Sequence, residues 1–225
     1  MKKNECNFGF YIKKHIPQFF PFDFVWSALL LLAIWAYLPG LSGWFLFDDF
    51  SNLQALGASP EGVHDWETFL TYLVRGFSGP TGRPVSLLSF LMDAQNWPAD
   101  SASFKKTNLL IHLAIATVLW RLLRSMLRQM TIPKHEVIAL FTASIWLLHP
   151  FLLSTTLYVV QRMTQLSAFF VLAGLWGYLH GREQLNINPA KSYLWMSASI
   201  IIGTVSAVLS KENGALLPLL VLIIE

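Results

Sequence analysis

Two adjacent carboxylates, Asp48 and Asp49, stand between Phe47 and Phe50 in the stretch GWFLFDDFSNL. A carboxylate flanked by phenyl rings is partly desolvated and crowded by its twin, so one of the two holds its proton more tightly. That shift moves it toward the range in which it can take a proton from a hydroxyl. The plain alternative is a solvated turn after an apolar run. Arg83, in TGRPVSLLSF, has the guanidinium suited to paired hydrogen bonds with a phosphate, or it is an arginine in water at a Gly/Pro turn. His149 precedes Pro150, which ends or kinks a helix, and Arg162 follows in VVQR. Lys211 and Glu212, in SKEN, form an ionisable pair squeezed between two apolar runs, where they either neutralise each other or serve a ligand. His112 lies inside an apolar run and is expected to bond a neighbouring helix rather than a metal. No HExxH, DxDxDG, GxxxxGK[ST] or GxSxG pattern occurs, so nothing in the sequence calls for a metal or a cofactor.

The elements that must position these residues are apolar. Of 225 residues, 54% are hydrophobic and only 13% charged, about half the charged share of a soluble domain, roughly 25%. The composition is that of an integral membrane protein. A net charge of +3, scattered along the chain, excludes a nucleic-acid partner and instead marks basic flanks on membrane segments. Cys6 is the sole cysteine, which rules out an internal disulfide or a cysteine-based metal cluster.

A helix crossing the hydrocarbon needs roughly 20 largely apolar residues. Six candidates follow: Phe24 to Leu38, Asn108 to Leu123, a run from Glu136 to His149, Met163 to Leu179, Tyr193 to Leu209, and a run from Gly214 that is cut off at Glu225. The last of these reads as an interrupted span, and the chain as the N-terminal part of a longer protein. Residues 1–23 form a polar lead that reads as the cytoplasmic flank of a retained signal anchor. With the N-terminus inside, Lys2, Lys3, Lys13, Lys14, Arg121, Arg124, Arg128, Lys134, Arg182 and Lys191 fall on the inner face, ten of the sixteen basic residues. Arg75, Arg83, Lys105, Lys106, Arg162 and Lys211 fall outside. The loop 40–106 is too long for a connector. Within it WETFLTYLVRGF and PVSLLSFLMDAQNW read as helices lying in the membrane interface, with Trp66 and Trp97 at headgroup depth. Arg162 opens an outer helix end against the charge rule and needs an acidic partner or an anion.

The expected fold is thus an all-α, polytopic transmembrane bundle with interfacial helices in its first outer loop. All the candidate residues fall on its outer face. A base for an acceptor hydroxyl, and cations for a departing phosphate, are what transfer from a lipid phosphate requires.

The order of these pieces, FDDF, GRPVSLLSF, HPF with YVVQR, then SKENG, resembles the GT-C superfamily of membrane glycosyltransferases. It is most similar in look to the transmembrane O-mannosyltransferases with tetratricopeptide repeats and their bacterial relatives. The resemblance implies a single GT-C-like transmembrane domain, of which residues 1–225 are the N-terminal part and 40–106 the catalytic loop. It implies a polyprenyl-phosphate-linked sugar donor, a protein or glycan acceptor, and a multi-pass location in a bacterial inner membrane with the active face toward the periplasm. By position, Asp48 or Asp49 would be the catalytic base. Arg83, His149, Arg162, Lys211 and Glu212 would contact substrate. The chain departs from the pattern in lacking a repeat domain and in having Met163, Thr164 and Gln165 after Arg162, where an acidic residue is expected. The rival expectation is a non-catalytic transporter or assembly subunit that binds lipid-linked sugars. A transporter places its ionisable groups at mid-bilayer in broken helices, whereas here they gather at one surface.

Overall fold

The computed structural model describes residues 21–75 and 82–225. The basic residues Lys2, Lys3, Lys13 and Lys14, together with Cys6 and Thr81, lie outside the described residues. Among those described, every regular element is helical. Three of the described helices are long and apolar enough to cross a membrane: Phe22–Gly40, Ser101–Gln129 and Pro189–Ser210. That is compatible with a membrane protein.

Local signals set the ends. Helix α1 (Pro21–Tyr37) has Asp23 in its first turn and runs into a 3-10 turn at Pro39. Helix α5 (Ser101–Gln129) starts where the Asp100 side chain accepts the Ala102 N–H at 3.1 Å. This start is seven residues before the one expected from hydropathy, so Lys105 and Lys106 belong to the helix and not to a loop. Helix α9 (Pro189–Ser210) is capped by Asn188 and opened by Pro189, as suits a residue whose missing N–H and fixed φ fit the first turn.

The expected spans differ in the helix length they reach. Helix α6 (His135–Leu147) has 13 residues, about 20 Å at 1.5 Å per residue, against a hydrocarbon core of roughly 30 Å. The last segment, a 3-10 turn at Glu212–Leu216 followed by α10 (Leu217–Ile224), also totals 13 residues. It reverses sharply onto α9. A Cβ on Gly214 would lie 2.3 Å from the Ala207 carbonyl carbon, so only glycine fits. Helix α8 (Arg162–Glu183) has the length of a span, but Arg162, Thr164 and Gln165 at one end and His180, Arg182 and Glu183 at the other dilute its hydropathy.

Helix α8 packs along α9 and also against α5, and α5 packs on α6. Trp26 and Trp120 stack at 5.0 Å within the α1–α5–α6 core. Outward faces stay apolar, with Trp35 at 70% exposure and Leu222 at 73%.

The segment 40–106 holds more than the expected pair of separate helices. Helices α2 (Asp48–Leu53), α3 (Trp66–Arg75) and α4 (Pro84–Leu91) fold into a cap with its own core. Phe45, Leu53, Leu56, Tyr72, Leu87 and Phe90 pack there with Phe104 of α5 and with Val159 and Met163. The expected second interfacial helix is corrected on two counts. It stops at Leu91, and its apolar face is covered by protein, Leu87 and Phe90 being fully buried. Trp97 packs on Phe45 at 4.9 Å rather than facing headgroups. Trp66 alone keeps the exposure expected of it.

Candidate functional site

The segment from Tyr158 to Thr164 gathers the separate motifs. It links α7 (Leu152–Leu157) to the first turn of α8 through a 3-10 turn at Val159–Gln161. Asp49 is fully buried beside it, one carboxylate oxygen accepting the Val160 N–H at 2.8 Å and the other the Leu46 N–H at 2.9 Å. Between Leu46 and Asp48, Phe47 adopts φ 33°, an unfavourable backbone for a bulky L-residue. Asp49 closes that strained turn and ties it to the α8 entrance. Burial pushes the Asp49 carboxyl above its ordinary range; the N–H donors of Leu46, Val160 and Val159 and the charge of Lys105 oppose the push.

Asp48 has a different setting. Its side chain is exposed, and its own N–H donates to the Tyr158 hydroxyl at 2.9 Å. The Tyr158 phenol is raised chiefly by burial; the Asp48 N–H opposes that rise, and the two neighbouring carboxylates add to it. Of the twin aspartates, Asp48 can meet a ligand's hydroxyl, whereas Asp49 has both oxygens engaged by the backbone.

Arg162 is a correction. Expected as a substrate contact, it has no exposed surface. Its Nε donates to Asn108 Oδ1 at 2.7 Å, Nη1 to the Ser89 carbonyl at 2.8 Å and Nη2 to the Phe104 carbonyl at 2.7 Å. Nη2 also pairs with Asp93 at 2.5 Å. The guanidinium lies over Phe90 and Phe104, with its carbon 4.9 and 5.6 Å from the two ring centres. The anion this arginine requires is therefore internal, and the residue joins α4, α5 and α8.

Arg83 opens α4 in a left-handed conformation, φ 46°. Its Nη2 and Nε meet the two Glu212 oxygens at 2.8 and 3.2 Å, and Nη1 approaches Met163 Sδ at 3.3 Å. Glu212 thus pairs with Arg83 and also attracts its neighbour Lys211, while Met163, in the stretch where an acidic residue is expected, faces the Arg83 guanidinium. Lys211 donates to Thr164 Oγ1 at 2.8 Å. Burial lowers its pKa first, and the Arg83 charge lowers it further, against the pull of Glu212. Two half-buried cations and one carboxylate therefore meet at this corner. His149 is exposed beyond α6, its Nδ1 accepting the Phe151 N–H at 3.2 Å within its own turn.

Several residues of the site escape the motifs. Lys105, only 3% exposed, donates to the carbonyls of Gly43 and Trp44 at 2.6 and 3.2 Å and so anchors the segment entering α2. Asn108 donates to the carbonyls of Tyr158 and Val159 while accepting from Arg162. Asp93 also accepts from Thr107. The signal was present in α5: Ser101, Lys105, Asn108 and His112 recur every three or four residues, so they share one face. All four are buried, and His112 reaches the Leu147 carbonyl of α6 at 3.0 Å.

Among the described residues, no group of three or more His, Cys, Asp or Glu side chains is arranged to hold a metal ion. No family model, curated protein or solved structure matches the chain. The functional reading rests on residue order and geometry.

Proposed function

We propose that this chain is part of a GT-C-type membrane glycosyltransferase that moves a sugar from a polyprenyl-phosphate donor to a hydroxyl of a protein or glycan. In this reading α6, α8 and α10 join the three longer helices in a six-span bundle of a bacterial inner membrane, with the cap on the periplasmic side. One observation carries the proposal. The Tyr158–Thr164 segment contacts Asp48, Asp49, Arg83 and Lys211, with Glu212 paired to Arg83, and so links an accessible carboxylate to a half-buried pair of cations.

Asp48 acts as the base. It takes the proton of the acceptor hydroxyl as that oxygen bonds to the anomeric carbon. The bond from that carbon to the lipid phosphate breaks with inversion, and the phosphate leaves with the electron pair. Arg83 and Lys211 stabilise the charge that develops on it. Glu212 holds Arg83 in place until a phosphate engages it, while Asp49 and Arg162 position the two halves of the site.

The test is sugar transfer from a lipid-linked donor by purified protein in nanodiscs. Asn preserves the shape of Asp48 but cannot take the proton, so Asp48→Asn should lower turnover by about 100-fold or more with donor binding unchanged. Near-normal turnover would sink the enzyme reading and leave a protein that binds lipid-linked sugars without transferring them.

A further inference from the structure

An open cavity lies in the cap, apart from Arg83 and Lys211. It has a volume of about 510 Å³, within the usual range for small-ligand sites, roughly 300–1,000 Å³. Its walls are the turn entering α3 and the segment that follows α4, and they are tied together. The Val63 N–H donates to the Gln95 carbonyl at 2.7 Å, and Gly62, at φ +75°, sits so close that a Cβ would lie 2.3 Å from that same oxygen. The two walls are therefore fixed relative to each other, around a depression that opens to solvent.

Its lining combines an aromatic platform with hydrogen-bonding groups. Trp66 is 70% exposed and stacks on Phe69 at 5.4 Å with 23° between the rings. His64, Asp65 and Gln95 line the same space. The Asp65 carboxylate caps α3 by accepting the Thr68 N–H at 2.8 Å, which fixes its position, and its second oxygen lies 3.7 Å from His64 Nε2. None of the lining residues is Lys or Arg. The neighbouring charges on the chain, Glu61 and Glu67, are acidic.

This combination selects a ligand class. A phosphate or an anionic headgroup would be repelled by the carboxylates. A pyranose ring offers an apolar C–H face to the electron-rich face of an indole. Its hydroxyl rim matches a carboxylate that accepts and an amide that both donates and accepts. We propose that the cavity between α3 and the end of α4 binds a neutral saccharide. It lies at the opposite end of α4 from Arg83, about 12 Å away at 1.5 Å per residue. The further assignment of this saccharide as the acceptor glycan rests on the transfer reading, whereas the binding itself does not.

The experiment is a screen of purified protein in phosphatidylcholine nanodiscs against an array of neutral hexose and N-acetylhexosamine oligosaccharides. Calorimetric titration of the strongest binder follows. Saturable binding is expected, weakened about tenfold or more by Trp66→Ala and largely kept by Trp66→Tyr, since the stacking face is what is lost or retained. Gln95→Ala should weaken it several-fold and serves as an independent check on the same cavity. Binding is read without any lipid-linked donor and needs no turnover, so failure of the transfer reading and failure of this one are separable. Absence of saturable binding across the array overturns the proposal, as does affinity indifferent to Trp66→Ala. Insertion of Trp66 into phosphatidylglycerol vesicles without sugar binding would assign the patch to the membrane surface instead.

Discussion

The two ends of the bundle use the same ion-pair chemistry in opposite surroundings. At one end Arg124 meets Glu136 at 2.7 Å, Arg128 meets Glu183 at 2.6 Å and Arg182 meets Glu225 at 2.7 Å, all partly exposed. At the other, Arg83 meets Glu212 with similar partial exposure, but Arg162 meets Asp93 at 2.5 Å with side-chain exposures of 0 and 7%. Water and salt screen the first group, and such pairs add little to stability. The Arg162 pair is closed off from water, so each partner is an uncompensated buried charge without the other. The exposed arginines mark an end of the bundle, whereas the buried one dictates how α4, α5 and α8 meet there.

The strongest attempt to break this contrast is to remove one buried partner. Asp93→Asn or Arg162→Gln should cost about 3–5 kcal/mol, read as a lower midpoint in denaturant unfolding of the detergent-solubilised protein. The double variant Asp93→Leu with Arg162→Met should recover only the part of that loss owed to the lone charge, because Asn108 Oδ1 and the Ser89 and Phe104 carbonyls lose their donor. A single variant as benign as an exposed-pair variant would erase the distinction between the ends.

Asp49 sharpens the comparison at intermediate size. An Asn there turns an NH2 toward one of the two backbone N–H groups it now accepts, at a cost of about 1–3 kcal/mol near neutral pH. The raised pKa of Asp49 means that the folded protein binds this proton more tightly than the unfolded chain does. Its contribution to stability therefore grows as pH falls from the raised value toward 3.8, and shrinks as pH rises through that interval. Because Asp65 and Glu183, with lowered pKa values, contribute in the opposite sense, the difference in stability between the native protein and Asp49→Asn, followed between pH 4 and 7, is what should carry this slope. A difference independent of pH would move the titrating group elsewhere.

The smallest effect belongs to the exposed pairs. Arg128→Gln should change stability by less than about 1 kcal/mol, and less still in high salt. A loss approaching that of Asp93→Asn would show that this end is no more tolerant than the other.

Much of the helical character was legible in the sequence, because runs such as FVWSALLLLAIWAYL leave few other conformations for an apolar chain. The demand of Arg162 for an anion was legible as well. The identity of that anion was not: Asp93 is remote in sequence, and its carboxylate looks like any polar residue of a loop. Lys105 misled for the same reason. Its charge places it with solvent by composition, yet the carbonyls of Gly43 and Trp44 satisfy it inside the protein. The aspartate twins could be split only in three dimensions, since the turn at Phe47 sends one side chain inward and the other outward. The second interfacial helix failed because an apolar face does not say whether lipid or protein will cover it; here the core around Phe90 and Phe104 does.

The reversal at Gly214 leaves the chain no slack. A helix turns by about 100° and advances about 1.5 Å per residue, so one residue inserted between Ser210 and Leu217 would put α10 out of phase with α9. Leu217 and Val221, now buried, would rotate off the core they share with Leu175 and Leu179, and Glu212 would swing away from Arg83. Insertions or deletions here disturb the cation corner as much as the helix packing, so segment length at this turn is as constrained as the charged side chains beside it.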